Sequence, residues 1–275
     1  MTCFFVGGSQ RSGTTLLQTI LCQDESVNPL IQEAKYLRHL VTAYRFGKHQ
    51  FKAETKDYFK NPKAYYAFNA RMVRTFIQNT RAQFPKAKHL VLREPHLTVL
   101  FPELAELLPK AKFLCIVRDP RDVLASMIKV GARLKDQGTE TDIMSRLFLS
   151  RDIPALCRHY LSFYGPALKA GSGALKQRLL LLRYEDLVGA PEAEVAKVRE
   201  FTGIGLKNFD PGKNLETGRV DFSKLDKYRK AWTSPENSQK ITDTRIGTYK
   251  EVLSEAECAA VTENCRKFME RFKYT

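Results

Sequence analysis

A glycine-containing loop near the N-terminus carries the clearest chemical signal in the chain. It reads Gly8, Ser9, Gln10, Arg11, Ser12, Gly13, Thr14 and Thr15. Glycines permit tight turns, and successive main-chain N–H groups at a helix start can hold a phosphate. The spacing matches the phosphate loop GxxxxGK[ST], except that Thr14 replaces the lysine that reaches the outer phosphates of a nucleoside triphosphate. The loop therefore predicts an anion site in which Arg11 braces an oxygen of a different group.

Arg-Ser-Gly-Thr-Thr after an apolar run resembles the 5′-phosphosulfate loop of sulfotransferases that use 3′-phosphoadenosine 5′-phosphosulfate (PAPS). The longer stretch 5–16 is most similar to the protein-tyrosine sulfotransferase branch and to bacterial sulfotransferases. The resemblance implies PAPS as sulfate donor, 3′-phosphoadenosine 5′-phosphate (PAP) as product, and a hydroxyl as acceptor. It implies no metal, because the protein's own cations can neutralise the developing charge.

A second segment of the resemblance follows the apolar run Phe113–Val117. In this family an arginine ends the strand, and a serine eight residues later also contacts the 3′-phosphate of the donor. Arg118 and Ser126 have that spacing. A guanidinium offers fork-shaped donors to phosphate, which suits the role. Asp119 and Asp122 leave open that Arg118 and Arg121 form structural ion pairs instead.

Two further segments resemble the family. Tyr184, in a Tyr-Glu-Asp-Leu segment, is implied to lie beside the adenosine or the 3′-phosphate. Near the C-terminus, 245–250 matches the tail of a phosphate-clamping loop but lacks its Arg-Lys-Gly. Lys240 and Arg245 are therefore the cations available for the clamp.

Two residues are candidates for the base that accepts the proton of the acceptor hydroxyl. Glu33 lies 22 residues after Arg11, almost at the spacing of the glutamate base in protein-tyrosine sulfotransferases. The alternative for Glu33 is a surface carboxylate at a helix start. His96 lies where cytosolic sulfotransferases carry a base histidine, a residue type suited to proton transfer near neutral pH. The resemblance of 93–95 to the Lys-Asp-Pro segment of the tyrosine branch implies that Arg93 is a transition-state cation, and it favours Glu33 over His96.

These residues need strands and helices to position them. Four apolar runs are predicted as buried parallel strands: Cys3–Val6, His89–Leu92, Phe113–Val117 and Leu179–Leu182. Helices are predicted from Thr14, at Leu97–Leu108, Val123–Val130 and Glu192–Phe201 (ended by Gly203), and after the capping box Ser254-x-x-Glu257. The alternation predicts an α/β, P-loop-like three-layer fold with a central, mostly parallel sheet flanked by helices. The polar stretches Gly131–Arg151 and Asp210–Gln239 are predicted as long binding loops.

Length and composition place limits on the class of protein. With 275 residues, of which 43% are hydrophobic, 1–275 is expected to be a single sulfotransferase domain. The net charge of +15 calls for an anionic partner. The six cysteines show no metal-ligand spacing, and no apolar run reaches the ~18 residues of a membrane span. The chain is expected to be soluble and cytoplasmic, or an excised domain of a larger protein; the sequence leaves its oligomeric state open.

The sequence leaves more than one acceptor class and more than one function open. An acidic, tyrosine-containing peptide suits the positive charge, and a carbohydrate or a small metabolite hydroxyl stays open. A P-loop nucleotide kinase is disfavoured by Thr14. A basic nucleic-acid-binding module is disfavoured because the sequence has no aromatic-interleaved RNA motif, zinc signature or helix-turn-helix signature, and no nucleic-acid partner is expected.

Overall fold

Four parallel strands form the centre of the molecule. The computed structural model describes residues 2–139, 143–169, 175–221, 224–233 and 240–274. The strands are β1 (Cys3–Gly7), β2 (Leu90–Arg93), β3 (Lys112–Val117) and β4 (Leu179–Arg183), in the order β2-β1-β3-β4. All neighbouring pairs are parallel. Their carboxyl ends therefore meet at one edge, which is where open α/β sheets bind ligands.

Helices cover both faces of this sheet. They are α1 (Thr14–Leu21), α2 (Lys35–His49), α3 (Pro62–Ala82), α4 (Phe101–Leu107), α5 (Pro120–Asp136), α6 (Ile143–Ser150), α7 (Ile153–Lys169), α8 (Tyr184–Gly189), α9 (Pro191–Thr202), α10 (Lys227–Trp232) and α11 (Glu255–Phe272). Within the described ranges, no helix is long and apolar enough to cross a membrane.

Alternation along the strands divides the interior into two cores. Phe5 and Phe113 point to one face, where they pack with α2, α4, α5, α7 and α11. Phe4 and Leu114 point to the other face and pack with α1, α8 and α9. Successive side chains of a strand point to opposite faces, so a strand covered on both sides is apolar throughout. The predicted three-layer α/β fold is confirmed.

Most predicted elements are present with small shifts at their ends. The second strand begins at Leu90 because His89 forms only an isolated bridge with Val27. The segment predicted as one helix at Leu97–Leu108 is a 3-10 turn, Pro95–Leu100, followed by α4. Gly203 ends α9 in the left-handed conformation, and the capping box at Ser254 is formed, as predicted.

The prediction that Gly131–Arg151 is a long loop is wrong. Helix α5 continues to Asp136, and α6 occupies much of the remainder, with 140–142 outside the described residues. The two helices cross closely at Gly131, where an added Cβ would lie 2.7 Å from the carbonyl carbon of Phe148. Helix α6 has only eight residues between polar segments, a run too short for a helical period to be recognised in the sequence. The second predicted loop, Asp210–Gln239, contains the short helix α10, and 222–223 and 234–239 lie outside the description.

Candidate active site

The loop between β1 and α1 has a backbone that its glycines make possible. Gly8 has φ +142° and Gly13 has φ +99°. A Cβ on Gly8 would lie 2.4 Å from the carbonyl oxygen of Ile116, and one on Gly13 would lie 2.6 Å from the ring of Tyr184. Arg11, at φ +68°, is a non-glycine residue in the left-handed region. Such conformations concentrate at functional sites, where surrounding contacts hold them in place.

Buried hydroxyls hold the loop from beneath. The Gly8 N–H donates to Thr98 Oγ1 at 2.7 Å, and the Ser9 N–H donates to the Tyr164 hydroxyl at 3.0 Å. Ser12 Oγ donates to the Ser9 carbonyl at 2.6 Å. Gly8, Ser9 and Ser12 are therefore buried, and their hydrogen bonds hold the loop in place.

The upper side of the loop faces a cleft. Its lining includes Gln10, Arg11, Gly13, Thr14 and Thr15. Within α1, all of which is described, the first turn has no acidic residue, and the N-cap Gly13 offers no side chain to the first N–H groups. The positive end of the helix dipole therefore opens toward the cleft, where an anion is stabilised.

Arg118 follows β3 directly and is 6% exposed. Its guanidinium lies 4.3 Å from the centre of the Tyr184 ring, and its Nη1 donates to the Arg11 carbonyl at 3.3 Å. Its Nε has no hydrogen-bond partner among the described residues. Burial raises the pKa of Tyr184, so this phenol stays protonated at neutral pH beside the arginine. An oriented, buried cation with an unused donor is suited to a phosphate.

Ser126, two turns into α5, contacts Arg11 and lines the cleft. Its Oγ accepts a hydrogen bond from Arg11 Nε at 3.1 Å. Arg11 Nη1 also donates to the carbonyl of Trp232 on α10. The structure thus brings Arg11, Ser126 and Arg118 together, and it places Trp232 at the cleft wall.

A buried carboxylate anchors the C-terminal segment to this site. Asp122 is 1% exposed, and its carboxylate accepts hydrogen bonds from the Gly247 and Tyr249 N–H groups at 2.9 and 3.0 Å. Arg118 Nη2 lies 3.8 Å from Asp122 and donates to the carbonyl of Arg245. Arg245 and Lys240 both line the cleft. Asp122 thus joins the clamp segment to Arg118.

Other charged residues of the predicted segments have local structural contacts. Arg121 forms an ion pair with Asp119 at 2.7 Å, which is the structural alternative that the sequence left open for this arginine. It also stacks on the Tyr249 ring. Glu185 accepts from the Asp119 N–H at 2.9 Å and from the Tyr274 hydroxyl at 3.0 Å. Arg118 differs from Arg121, because Arg118 lines the described cleft and Arg121 does not.

Glu33 and Arg93 also line the cleft, where they form an ion pair. The Ala34 N–H donates to the Arg93 carbonyl at 2.9 Å, which ties the chain before α2 to the end of β2. Arg93 Nη1 donates to Glu33 Oε1 at 2.8 Å, and Arg93 Nε donates to Gln18 Oε1 at 2.9 Å. Burial acts to raise the pKa of Glu33, but Arg93 and Lys35 outweigh it and hold the pKa below its ordinary value. Glu33 is therefore an ionised, oriented carboxylate rather than a surface charge at a helix start.

His96 lies beside this pair on the same wall. Its Nδ1 is 3.1 Å from the carboxylate of Glu94, which is 1% exposed and also accepts from the Leu97 N–H at 2.8 Å. A carboxylate that orients one ring nitrogen leaves the other directed elsewhere, the arrangement of a general base. The structure thus places both candidate bases, Glu33 and His96, at the cleft.

Several residues of the site carried no signal in the sequence. Thr98, Tyr164 and Gln18 act through buried hydroxyl or amide groups on the loop or on Arg93. His159 lies 3.2 Å from Gln10, and burial, with His96 nearby, lowers its pKa to about 4, so it stays neutral. A tyrosine in an apolar helical stripe, as at Tyr164, is the one pattern that hints at a buried hydroxyl with a partner.

The cleft has a volume of about 620 Å³, within the range of about 300–1,000 Å³ of ligand pockets. Besides the predicted residues, its wall includes cations and aromatic side chains that the motifs did not single out: Lys35, Arg38, Lys129, Tyr228 and Arg229. Among the described residues no cluster of histidine, cysteine and carboxylate side chains could hold a metal ion. The site is a cleft rich in cations, with donors at the start of α1 and at Arg118 that are suited to anions, and with the carboxylate of Glu33 on its wall.

Comparison with known proteins gives consistent matches. The model of the Sulfotransferase family matches residues 4–208. Carbohydrate sulfotransferase 5 of Mus musculus is 33% identical over 129 residues, 43% of this chain and 32% of that protein. A Caenorhabditis briggsae protein named "Putative protein-tyrosine sulfotransferase" is 25% identical over 217 residues, 73% of this chain and 65% of that protein. The matched stretch is therefore about a third of the first relative and under two thirds of the second.

A solved structure shares the fold. Retinol dehydratase, in a complex with retinol and PAP, superposes with a TM-score of 0.51 at 16% identity and covers 97% of this chain and 81% of that chain. The likeness supports the three-layer architecture around the sheet described above.

Proposed function

Because the chain belongs to the sulfotransferase family, we propose that it transfers a sulfuryl group from PAPS to an acceptor hydroxyl in the cleft. The single observation that carries the donor is Arg118, a guanidinium at the end of β3 that lines the cleft next to the glycine loop. The two anion positions then correspond to the two ends of a 3′,5′-bisphosphate nucleotide. When bound, PAPS supplies the activated sulfate and leaves as PAP.

The chain's own residues would bind and neutralise this donor. The N–H groups at the start of α1 and the Arg11 guanidinium would hold the 5′ end. Arg118 and Ser126 would hold the 3′-phosphate, with Tyr184 against the nucleoside and Lys240 and Arg245 supplying the C-terminal cations. Fixed donors in a walled cleft stabilise developing charge without reorganisation, which is the main catalytic contribution in such transfers.

For the base we propose Glu33. Its carboxylate is ionised, oriented by Arg93 at 2.8 Å, and lies on the cleft wall, so it can accept the acceptor proton. Arg93, held by Gln18 on its other side, would also face the charge that develops on the transferred group. His96 is the second candidate, and the observation that favours it is the Glu94 carboxylate 3.1 Å from Nδ1.

Acceptor classes named by the relatives include a carbohydrate, an omega-hydroxy-dihydromenaquinone and a protein tyrosine, and the hydroxyl of each fits the proposed reaction. A P-loop kinase is not favoured, because Thr14 occupies the position of the phosphate-binding lysine.

Binding of PAP by purified protein tests the donor assignment. We expect Arg118→Ala and Arg11→Ala each to lower the affinity for PAP at least about tenfold in a calorimetric titration, since each removes a charge-assisted contact. Arg121→Ala is the matched control, because its side chain pairs with Asp119 and does not line the described cleft. Unchanged PAP affinity in both first variants contradicts the proposal.

A further inference from the structure

A row of apolar side chains lies on the outer surface of helix α3. Phe68, Met72 and Phe76 follow one another at intervals of four residues, so they lie side by side along one face of the helix. The ring centre of Phe59 lies 5.4 Å from that of Phe68, and the ring centre of Tyr36 on α2 lies 5.9 Å from that of Phe76. These five side chains are hereafter called the α3 patch. Tyr36, Phe68 and Met72 are 64%, 51% and 42% exposed.

The α3 patch is contiguous, because its rings contact one another. Single exposed apolar residues are normal on a protein surface, whereas contiguous ones mark sites that bind a protein, a membrane or a ligand. Phe59 and Phe76 also pack against the hydrophobic core, which fixes the patch to the body of the protein. The exposed side chains are therefore already arranged for contact with a partner.

The charged residues of the two helices that carry the α3 patch are all positive. Helices α2 and α3 each have four lysine or arginine residues and no aspartate or glutamate, whereas the whole chain has 45 basic and 30 acidic residues. The four cations of α2 form ion pairs with glutamates outside that helix. Those of α3 form no ion pair among the described residues: Lys63, Arg71, Arg74 and Arg81. The connection 50–61 adds three lysines and two carboxylates, so it keeps the positive sign.

Unpaired cations beside exposed aromatic side chains are suited to the surface of an anionic membrane. Arg71 is exposed and lies one helical turn from Phe68. At such a surface aromatic side chains enter the headgroup region, which removes apolar area from water. Arginine and lysine stay at the level of the lipid phosphates, where the negative surface potential attracts them. The outer side of α3 offers both kinds of contact.

A protein partner fits the α3 patch less well. A two-fold dimer would place the patch and its cations against the same patch and the same cations, since such an interface is self-complementary. Like charges placed opposite each other across an interface are unfavourable. The centre of a protein interface is also depleted of charged residues, whereas Arg71 directly adjoins Met72 in the chain. These features favour lipid over a second copy of the chain.

From this arrangement we infer that the α3 patch attaches the protein to the surface of a membrane that contains anionic lipids. The patch side chains enter the headgroup region, and the cations of α3 contact the lipid phosphates. The attachment goes beyond the proposed function and does not depend on it, because no residue of the patch lines the described cleft. It concerns where the protein binds, not which acceptor it uses.

Cosedimentation of the full chain with phosphatidylcholine vesicles, with and without phosphatidylglycerol, tests the inference. We expect binding to be at least about tenfold tighter when phosphatidylglycerol is present, because several cations face the lipid. Phe68→Ser should weaken binding to the anionic vesicles about tenfold, since it removes an apolar side chain that contact with lipid would bury. Arg71→Gln should weaken it about fivefold, the contribution of one cation near an anionic surface.

Helix α6 provides matched controls. Ile143 and Arg146 are an exposed apolar residue and an exposed arginine with the same spacing of three residues as Phe68 and Arg71. Ile143→Ser and Arg146→Gln should each change vesicle binding less than about twofold. All four substitutions are at exposed positions, so the Tm of each variant should stay close to that of the parent chain.

Failure to bind the anionic vesicles overturns the inference. Binding that the α3 and α6 variants weaken equally also overturns it, because net charge alone would then account for attachment. A dimer in sedimentation velocity that Phe68→Ser dissociates would assign the patch to a second copy. Polyglutamate that binds more tightly than the vesicles and is weakened by Phe68→Ser would assign it to an acidic protein. The vesicle result is independent of PAP binding, so either proposal can fail without the other.

Discussion

Replacement of Asp122 by alanine tests how the clamp segment is joined to the donor site. The side chain is 1% exposed and accepts two main-chain hydrogen bonds, from Gly247 at 2.9 Å and Tyr249 at 3.0 Å. Hydrogen bonds to a charged group contribute about 1.5–3 kcal/mol each. Because the 245–249 segment lies near the surface and can rebind water, we expect a loss of about 2–4 kcal/mol in the free energy of unfolding, which is less than the sum of about 3–6 kcal/mol for two such bonds. For a chain of this size that is a decrease of roughly 5–15 °C in Tm.

The same substitution should reduce discrimination for the 3′-phosphate. Asp122 lies 3.8 Å from Arg118 Nη2, and Arg118 also donates to the Arg245 carbonyl, so loss of the anchor misplaces both residues. We expect the ratio of PAP affinity to AMP affinity, measured by calorimetry below the Tm of the variant, to fall about tenfold, or about 1.4 kcal/mol. Asp186→Ala is the control, because this carboxylate is 44% exposed and pairs with Arg183, three residues before it. A variant that loses stability but keeps its PAP-to-AMP ratio refutes the positioning role.

Other expected outcomes concern the base and the loop support. Glu33→Gln should lower kcat about 100-fold or more, with PAP affinity unchanged within about twofold, because it removes proton acceptance and not donor binding. Since Arg93 holds the pKa of Glu33 below its ordinary value, the carboxylate stays ionised and kcat/KM should be level from pH 8 to pH 6; a fall in this range would contradict Glu33 as the base. Tyr164→Phe removes a hydroxyl that accepts from Ser9 and donates to the Ile116 carbonyl at 3.2 Å, so we expect about 1–2 kcal/mol lower stability by denaturant unfolding and weaker PAP binding; unchanged values for both would show that the hydroxyl does not support the loop.

Strands and the donor loop were predictable because their signals are local. A continuous apolar run between turn residues indicates a strand covered on both faces, and each of the four predicted runs is a strand of the sheet. The parallel arrangement then brings the residues that follow each strand to one edge. That is why the glycine loop, Arg93, Arg118 and Tyr184, which are far apart in the sequence, meet in one cleft.

Contacts across the chain were not predictable in this way. Asp122 lies in no motif that distinguishes it from an ordinary carboxylate at a helix start. Its role as an anchor depends on Gly247, which is 125 residues away. The same holds for Gln18, which fixes Arg93 from α1. Helix α6 was missed because its eight residues are fewer than the roughly 11–18 over which a helical period is recognised.

The most direct test of the donor assignment is calorimetric titration of the full chain with PAP, AMP and ATP under one set of conditions. The paired sites at Arg11 and at Arg118 predict that PAP binds at least about tenfold more tightly than AMP, and that Arg118→Ala removes this difference. The threonine at the lysine position predicts that ATP with magnesium binds more weakly than PAP. Equal affinity for PAP and AMP, or tighter binding of ATP with magnesium, would contradict the assignment.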